Sequence, residues 1–216
     1  MAERVKIIQD ISLLYELSLS IGTTLDPQEN CYSFLRTLIS RKSLNFGAIW
    51  LKNKPEASDN YGLFYIYPQF RASETTIPND HYIIQELNTK PFVCATVQDA
   101  HYADVLHETK VGKGAYAIFK MGDLGFLKLF AANRPHGFSQ IEMEQLKQVV
   151  DKLSTSLSGC FAHIQLKKET EHRQIAQQAL SESENRLRRI IDSSQDAVVT
   201  SDEAGNAIEW SMRAEK

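Results

Sequence analysis

The chain has 216 residues, enough for one large domain or for one domain with additional segments. Apolar residues make up 43% and charged residues 24%, a composition that excludes a disordered chain. The 24 Lys and Arg residues against 27 Asp and Glu residues give a net charge of −3, without the basic excess typical of nucleic-acid-binding proteins. No apolar stretch reaches the roughly 20 residues of a membrane span, and the N-terminus does not resemble a signal peptide, so we expect a cytoplasmic protein.

The three cysteines, Cys31, Cys94 and Cys160, are widely spaced, and no CxxC pair is present. Structural zinc sites use closely spaced ligands, and disulfide frameworks use even sets of cysteines. We therefore expect neither of these, and we expect no metal and no cofactor.

Residues 1–137 hold all six prolines and mix helical with strand-like patterns. The first helix is predicted by an apolar stripe with spacings of three and four, formed by Ile7, Ile11, Leu14, Ser18 and Ile21. Gly22 ends that helix. Asp26, Pro27 and Glu29 then have the order of an N-cap and first turn, which predicts a second helix that ends near Lys42.

Strand-like runs follow the second helix and predict an α+β fold with an antiparallel sheet. They cover residues 46–53, 63–70, 92–98, 115–121 and 124–132. A short helix is predicted over residues 79–88, and a loop with one helical turn over residues 99–110.

A long helix is predicted beyond Pro135, because no proline follows it and Gly159 and Gly205 are the only glycines after Gly137. Ser139 and Glu142 have the spacing of a capping box. Two apolar seams along this helix have the alternating four–three spacing of coiled coils. The first is formed by Leu146, Val150, Leu153, Leu157, Cys160 and Ile164, and the second by Ala176, Leu180, Ser183, Leu187 and Ile190. The seams differ in phase, which indicates either a stutter or a solvated section between them.

The order of elements and the stretch 114–166 resemble a GAF domain. From residue 115, a hairpin reading Ala-Tyr-Ala-Ile-Phe-Lys-Met-Gly-Asp-Leu-Gly-Phe-Leu-Lys-Leu-Phe leads through Ala-Asn-Arg-Pro and a Phe-Ser cap into the long helix. The resemblance covers residues 10–165 and implies a GAF-type antiparallel sheet flanked by helices. We assign residues 1–165, with the N-terminal helix, to this domain.

Residues 171–192 resemble the helical linker that precedes PAS domains in bacterial sensor proteins, and residues 193–210 are similar to the first two PAS strands. Residues 202–206 supply the turn between these strands, with Gly205 suited to a positive φ. Ser211 departs from the Asn that is common in the family. PAS domains need about a hundred residues, so we expect residues 190–216 to be the incomplete start of one, after a coiled-coil linker at 166–189.

No catalytic constellation stands out. The run from Val111 lacks the residues of a phosphate-binding loop. His101 and His107 have no further ligands at metal spacing, and we interpret them as surface or packing residues. His172 is interpreted as a solvated linker residue. Cys94 is followed by Ala rather than by the His common in bilin-binding GAF domains, and a buried structural thiol is the favoured interpretation.

The ligand site predicted here depends on the last hairpin. A two-residue turn at Gly122 and Asp123 would place Met121 opposite Leu124. Alternation then puts Tyr116, Ile118, Leu127, Leu129 and Ala131 on the face that suits the helices. The other face, where GAF domains hold ligands, would supply a site formed by Ala117, Phe119, Phe126, Lys128 and Phe130, with Ala115 beside them. There Lys128 would meet a carboxylate or phosphate; alternatively, it extends to solvent past an ordinary core.

These resemblances imply a sensory input module of a bacterial signal-transduction protein, first of all a sensor histidine kinase and second a diguanylate cyclase. The domain would sense a small molecule or a partner and relay the signal through paired helices to downstream PAS and output domains. We expect a homodimer through the N-terminal and exit helices, with no nucleic-acid or membrane partner. The alternatives are a GAF dimerisation module that binds nothing and an enzymatic GAF domain such as a free-methionine-sulfoxide reductase.

Overall fold

The fold is described from a computed structural model, which covers residues 2–53, 60–69, 74–109, 111–193 and 199–210. The chain divides into two compact units, Met1–His163 and Ile164–Lys216. The elements of the first unit are α1 (Ala2–Ser20), α2 (Pro27–Lys42), β1 (Phe46–Lys52), β2 (Asn60–Tyr67), β3 (Thr76–Pro78), α3 (Tyr82–Thr89), β4 (Phe92–Thr96), a 3₁₀ turn (Ala103–Val105), β5 (Ala115–Met121) and β6 (Gly125–Ala131). Helix α4 (Gln140–Ser193) runs from this unit into the second, which also holds β7 (Val199–Ser201) and β8 (Ala207–Trp210).

The described part of the first unit is built on an antiparallel sheet with the order β3-β2-β1-β6-β5-β4. The predicted α+β class and antiparallel sheet are confirmed. The five predicted strands are present with ends that differ by up to three residues. Strand β3 was not predicted, because three residues are too few to display an alternating pattern.

The sheet separates two apolar layers. On one face, α1, α2 and the first part of α4 pack against the strands, and Leu17, Phe34, Phe119 and Leu153 are among the residues buried there. We call this the helical layer. The opposite face is covered by α3 and the 3₁₀ turn, and we call it the α3 layer; its buried residues are Phe46, Ala48, Trp50, Ile77, Ile83, Ile84, Leu87, Ala95, Val105, Tyr116, Ile118, Phe126 and Phe130.

Local capping places the N-terminal ends of α2 and α4 as predicted. The Asp26 carboxylate accepts a hydrogen bond from Gln28 N at 2.8 Å, and Pro27 opens α2. Ser139 Oγ accepts from Glu142 N at 3.3 Å. The reciprocal half of the predicted capping box is replaced by other contacts, because the Glu142 carboxylate accepts from Arg134 at 2.7 Å.

The β5–β6 hairpin has a three-residue loop, so the predicted two-residue turn is wrong. Met121 pairs with Gly125, not with Leu124. Gly125 has a φ of +153°, and a Cβ at this position would lie 1.9 Å from the Trp50 carbonyl oxygen. With Leu124 in the loop, the register between β5 and β6 differs by one residue from the predicted one. The faces of β6 are as predicted, whereas those of β5 are exchanged, so Tyr116 and Ile118 lie in the α3 layer.

Two of the predicted apolar stripes differ from the prediction in which of their residues are buried. The first seam of α4 is buried within the chain, since Leu146, Val150 and Leu153 pack in the chain's own helical layer. On α1, Leu17 is buried in that layer, whereas Ile11 of the predicted stripe is 61% exposed.

In the second unit, the side chains of α4 from residue 165 to residue 190 are exposed. Strands β7 and β8 form a small antiparallel hairpin. Its turn is organised by Asp202, whose carboxylate accepts from Asn206 N at 2.8 Å. Residues 194–198 and 211–216 of the predicted PAS start, with Val198 and Ser211 among them, lie outside the described residues. Among the residues that are described, no helix has a stretch long and apolar enough to cross a membrane.

Candidate functional site

A buried lysine forms the centre of the α3 layer. Lys128, on β6, has no solvent exposure, and its ammonium donates hydrogen bonds to the two carboxylate oxygens of Glu108 at 3.0 and 2.9 Å. It also donates to the carbonyl oxygen of Val105 and lies 3.1 Å from His107 Nδ1. The Glu108 side chain is likewise without exposure. The loop between β4 and β5 therefore supplies every one of these partners to a single strand residue.

Tyr116 of β5 completes the polar cluster. Its hydroxyl donates to Glu108 Oε2 at 3.2 Å, and its ring centroid lies 4.6 Å from Lys128 Nζ, a cation–π geometry. Burial, followed by the nearby Glu108 charge, raises the pKa of Tyr116, so its phenol stays neutral and acts as a donor. Phe130 packs against Tyr116 with ring centroids 4.8 Å apart. The carboxylate of Glu108 is thus held by one ammonium and one hydroxyl inside an aromatic environment.

Burial dominates the electrostatics of the cluster. It lowers the pKa of Lys128 to about 8, although the Glu108 carboxylate opposes this shift. Burial and the Lys128 charge together lower the pKa of His107 to about 3, so this imidazole is neutral at physiological pH. An ammonium can only donate, so the contact with Lys128 requires His107 Nδ1 to accept, whereas the contact of the same Nδ1 with the Val105 carbonyl oxygen at 3.1 Å requires it to donate. His107 Nε2 faces Glu74 Oε2 at 3.8 Å.

An aromatic wall adjoins the cluster and carries a donor with no partner. Trp50 is fully buried; its ring lies 5.6 Å from the His107 ring and stacks on Phe126 at 6.0 Å. His107 also lies 5.1 Å from the His81 ring. Within the described residues, Trp50 Nε1 has no hydrogen-bond acceptor. Buried donors in proteins are normally paired, so this indole N–H marks a place where an acceptor can be taken up.

The structure brings together three of the five predicted site residues. Phe126, Lys128 and Phe130 share the α3 layer, and Lys128 meets a carboxylate, which belongs to the chain itself. Ala117 and Phe119 are in the helical layer, because the hairpin register differs by one residue from the predicted one. Whether the remaining three bind a ligand stays a prediction.

Tyr116, His107 and Glu108 were not predicted as site residues. Tyr116 was assigned to the helical face by the same register error, and His107 was interpreted only as a surface or packing residue. One signal in the sequence does point to a partner: Lys128 stands between Leu127 and Leu129 in an otherwise apolar strand. A buried ammonium requires a carboxylate, although sequence alone does not identify which one.

An open cleft of about 550 Å³ lies along the edge strand β4. Tyr82 stacks on His101 there with ring centroids 4.2 Å apart. Cys94 lines this cleft and is exposed, so its interpretation as a buried structural thiol is wrong. Its sulfur accepts from Phe138 N at 3.5 Å. Neither here nor elsewhere in the described ranges do three or more His, Cys, Asp or Glu side chains form a group that could hold a metal ion.

No protein-family model matches the chain, and no curated protein matches it. Solved structures do resemble it. The GAF domain of a phosphoenolpyruvate-protein phosphotransferase from Coxiella burnetii aligns with a TM-score of 0.59 at 11% identity, over 72% of this chain and 96% of that domain. The chain has the GAF fold. A second phosphotransferase GAF domain, from Acinetobacter, aligns with a TM-score of 0.57 at 11% identity, over 70% of this chain and 94% of the other.

An enzyme of the same fold is equally similar to this GAF unit. The free methionine-R-sulfoxide reductase of Neisseria meningitidis, in complex with its substrate, aligns with a TM-score of 0.60 at 14% identity, over 71% of this chain and 91% of the enzyme. The GAF fold is therefore shared by domains of phosphotransferases and by a reductase, and the function has to be argued from the site.

Proposed function

We propose that the chain is a sensory input and signal-transmission module of a bacterial signal-transduction protein. A sensor histidine kinase is the first candidate for that parent protein. The GAF unit senses a small molecule or a partner at the Lys128 cluster, and α4 relays the change towards a PAS domain that begins near residue 190. A diguanylate cyclase is the second candidate for the parent protein.

The observation that carries this proposal is the position of Lys128 between two residues that contact the other side of the sheet. Lys128 faces the polar cluster, while Leu127 and Leu129 face the helical layer, where α4 packs through Leu146 and Leu153. Any movement of β6 at Lys128 is therefore transmitted to the packing of α4. Successive side chains of a strand point to opposite faces, so neighbouring residues of β6 alone connect the polar cluster to the helical layer.

The polar character of the cluster supports a role in recognition. A buried ion pair adds little to stability, because desolvating two charges offsets their attraction, and apolar side chains of similar size usually serve as well. The placement of Lys128 and Glu108 inside the α3 layer therefore favours a role other than stability. Binding of a polar ligand is the one that fits the unpaired indole N–H of Trp50.

The relay requires a second copy of the chain. In the second unit, Leu180, Leu187 and Ile190 are exposed apolar residues on the predicted second seam. An isolated helix gains nothing from an exposed apolar stripe, whereas two copies can bury it in a parallel coiled coil. We include in the proposal a homodimer held by this seam and by the exposed face of α1.

The test combines a ligand screen with a readout on α4. Organic acids and nucleotides are screened by thermal shift on the full chain. Hits are then added to protein carrying nitroxides at Ser181→Cys in a Cys94→Ser background, and the distance between the two copies is measured. A hit that stabilises the protein and changes the distance supports the proposal. A hit that leaves the distance unchanged contradicts the relay.

A non-binding dimerisation module is the second candidate, and one observation favours it: Glu108 already supplies the carboxylate that Lys128 requires. If no compound shifts the melting temperature while the chain is dimeric, this alternative replaces sensing.

The proposal includes no catalytic role. Cys31 and Cys160 are buried in the chain's interior, where burial raises the pKa of Cys31 to about 12, and a protonated thiol is a poor nucleophile. Cys94 lies in the cleft beside β4. An assay with free methionine sulfoxide and a thiol reductant is expected to show no turnover above the Cys94→Ser variant, and turnover that depends on Cys94 would contradict this.

A further inference from the structure

We infer that Glu108 is a built-in occupant of an anion site, and that the external ligand of this site is a small organic carboxylate which displaces it. The inference rests on the proposed sensory function and specifies the ligand class and the regulation of the same site. Three observations carry it: the contacts of Glu108, the unpaired donor beside them, and the loop that holds Glu108.

The contacts of Glu108 define the chemistry that the site accepts. Both oxygens of its carboxylate face Lys128 Nζ, and Oε2 also accepts from the Tyr116 hydroxyl at 3.2 Å. Lys128 and Tyr116 belong to the sheet, whereas Glu108 belongs to the loop before β5. The fixed part of the site is therefore an ammonium and a neutral hydroxyl, donors that suit a planar carboxylate. Phe126 and Phe130 supply apolar surface for the body of such a ligand.

The unpaired donor Trp50 Nε1 indicates that the site can make one hydrogen bond more than Glu108 makes. Trp50 Nε1 is buried and has no acceptor among the described residues, and its ring is adjacent to His107, which contacts Lys128. A carboxylate with a further oxygen, such as a hydroxy acid or keto acid, could pair with the indole N–H as well. A buried donor without an acceptor is unfavourable, so such a ligand has an interaction that Glu108 does not make.

The loop that carries Glu108 contacts Lys128 at three residues, and the Tyr116 hydroxyl and the burial of Val105 also hold it. Between β4 and β5, the described residues form only the 3₁₀ turn Ala103–Val105 and an isolated bridge at Glu108. The Lys128 ammonium contacts Val105, His107 and Glu108 at once. A ligand that takes over Lys128 removes these three contacts together and loosens the segment around Glu108, while Val105 stays packed in the α3 layer. Exchange of one carboxylate for another leaves the charge of the buried site unchanged, which avoids the desolvation cost of an unpaired ammonium.

Displacement makes the apparent affinity depend on Glu108. Because the loop occupies the site in the resting state, an external carboxylate binds only to the fraction in which Glu108 has left. Removing the Glu108 charge should therefore strengthen binding of simple carboxylates. Removing Lys128 should abolish it.

The experiment uses acetate, which corresponds to the atoms that Glu108→Ala removes beyond Cβ. The full chain, Glu108→Ala and Glu108→Gln are titrated with sodium acetate and, at equal ionic strength, with sodium chloride. Melting temperature and calorimetric affinity are recorded. We expect acetate to stabilise both variants over chloride, with an affinity about tenfold or more above that of the unsubstituted chain. Addition of Lys128→Met should eliminate the effect, and the control Glu29→Gln, at an exposed glutamate, should behave like the unsubstituted chain.

Folded Glu108 variants that show no stabilisation by acetate over chloride would overturn the inference. Should both variants fail to fold, hydrogen exchange of the unsubstituted chain decides it: faster exchange across residues 103–109 in high acetate than in high chloride supports displacement, and equal exchange overturns it. The result also separates this inference from the broader function. A screening hit whose affinity is unaffected by Glu108→Gln would leave sensing intact and overturn the occupant role.

Discussion

The side-chain amide of Asn30 donates a hydrogen bond to Cys160 Sγ at 3.2 Å, although the two residues are 130 positions apart. Asn30 Nδ2 also donates to the Thr24 carbonyl oxygen at 2.7 Å, and its Oδ1 accepts from Gly22 N at 3.0 Å. Asn30 has no solvent exposure. This one side chain joins the α1–α2 turn to α4, and it lies in the helical layer through which the proposed signal passes.

Asn30→Ala should lower the free energy of unfolding by about 2–3 kcal/mol, because Gly22 N and the Thr24 carbonyl oxygen lose the buried amide that pairs with them. Urea denaturation followed by circular dichroism measures the change. Asn88→Ala on the exposed face of α3 is the control and should stay within about 0.5 kcal/mol of the unsubstituted chain. Equal effects of the two substitutions would contradict the role of Asn30.

Stability should fall on acidification through His107. Burial lowers its folded-state pKa to about 3 from 6.5, so between these values the unfolded chain binds more protons than the folded one. The free energy of unfolding therefore decreases as the pH falls below 6.5, by roughly 2 kcal/mol at about pH 5 from this residue alone. Burial also lowers the pKa of His81, which acts in the same direction.

The measurement is the slope of unfolding free energy against pH in urea. His107→Gln should flatten this slope, whatever its effect on stability at neutral pH. Asn88→Ala removes no titratable group and should leave the slope unchanged. A slope that is the same in all three proteins would show that His107 does not titrate as its burial predicts.

The GAF fold was predictable because its elements are locally encoded. Strand β5 was placed at its observed bounds, and α2 begins at the predicted cap of Asp26, since alternation and capping depend on neighbouring residues. The hairpin register was not predictable in the same way. It depends on Gly125 approaching Trp50, a contact between strands far apart in sequence.

The candidate site was also predictable only where the signal in the sequence is local. Lys128, Phe126 and Phe130 were recognisable because a lysine among apolar strand residues is unusual. Glu108 was not, because its position follows from the path of a loop with little regular structure. The seam of Leu146, Val150 and Leu153 was misassigned because a helix that packs on a sheet can show the same four–three spacing as a coiled coil.

The chain should form a homodimer through two exposed apolar sets. On α1 these are Ile11, Tyr15 and Leu19, spaced by four residues, and on the second unit Leu180 and Leu187. Light scattering at roughly ten micromolar or above should give twice the chain mass, a range in which contacts of this kind are populated. Leu180→Asp with Leu187→Asp should weaken the dimer, because two charges would be buried at the seam.

Controls with the same added charge separate the seam from a general effect. Ser181→Asp with Asn185→Asp lies outside the predicted seam and should leave the dimer intact. A monomeric unsubstituted chain at these concentrations would refute the dimer, and so would equal weakening by both pairs.

Residues 190–216 should not fold as an independent domain in this chain. Strands β7 and β8 pair over only a few residues, and Val199 and Ile208 are exposed. An isolated two-stranded hairpin is marginal in water, because ordering costs about 1–2 kcal/mol of backbone entropy per residue and little apolar area is buried in return.

Trp210 is the natural reporter of this segment. The other tryptophan, Trp50, is fully buried, so the fluorescence that acrylamide quenches readily should come from Trp210 and should vanish in Trp210→Phe. Trypsin should also remove the tail early by cutting after Arg186, Arg188 or Arg189. Exposed strand edges can pair with other chains, so both measurements belong at low concentration. A shielded Trp210 and a protease-resistant tail in dilute solution would mean that the hairpin is covered by the rest of the chain.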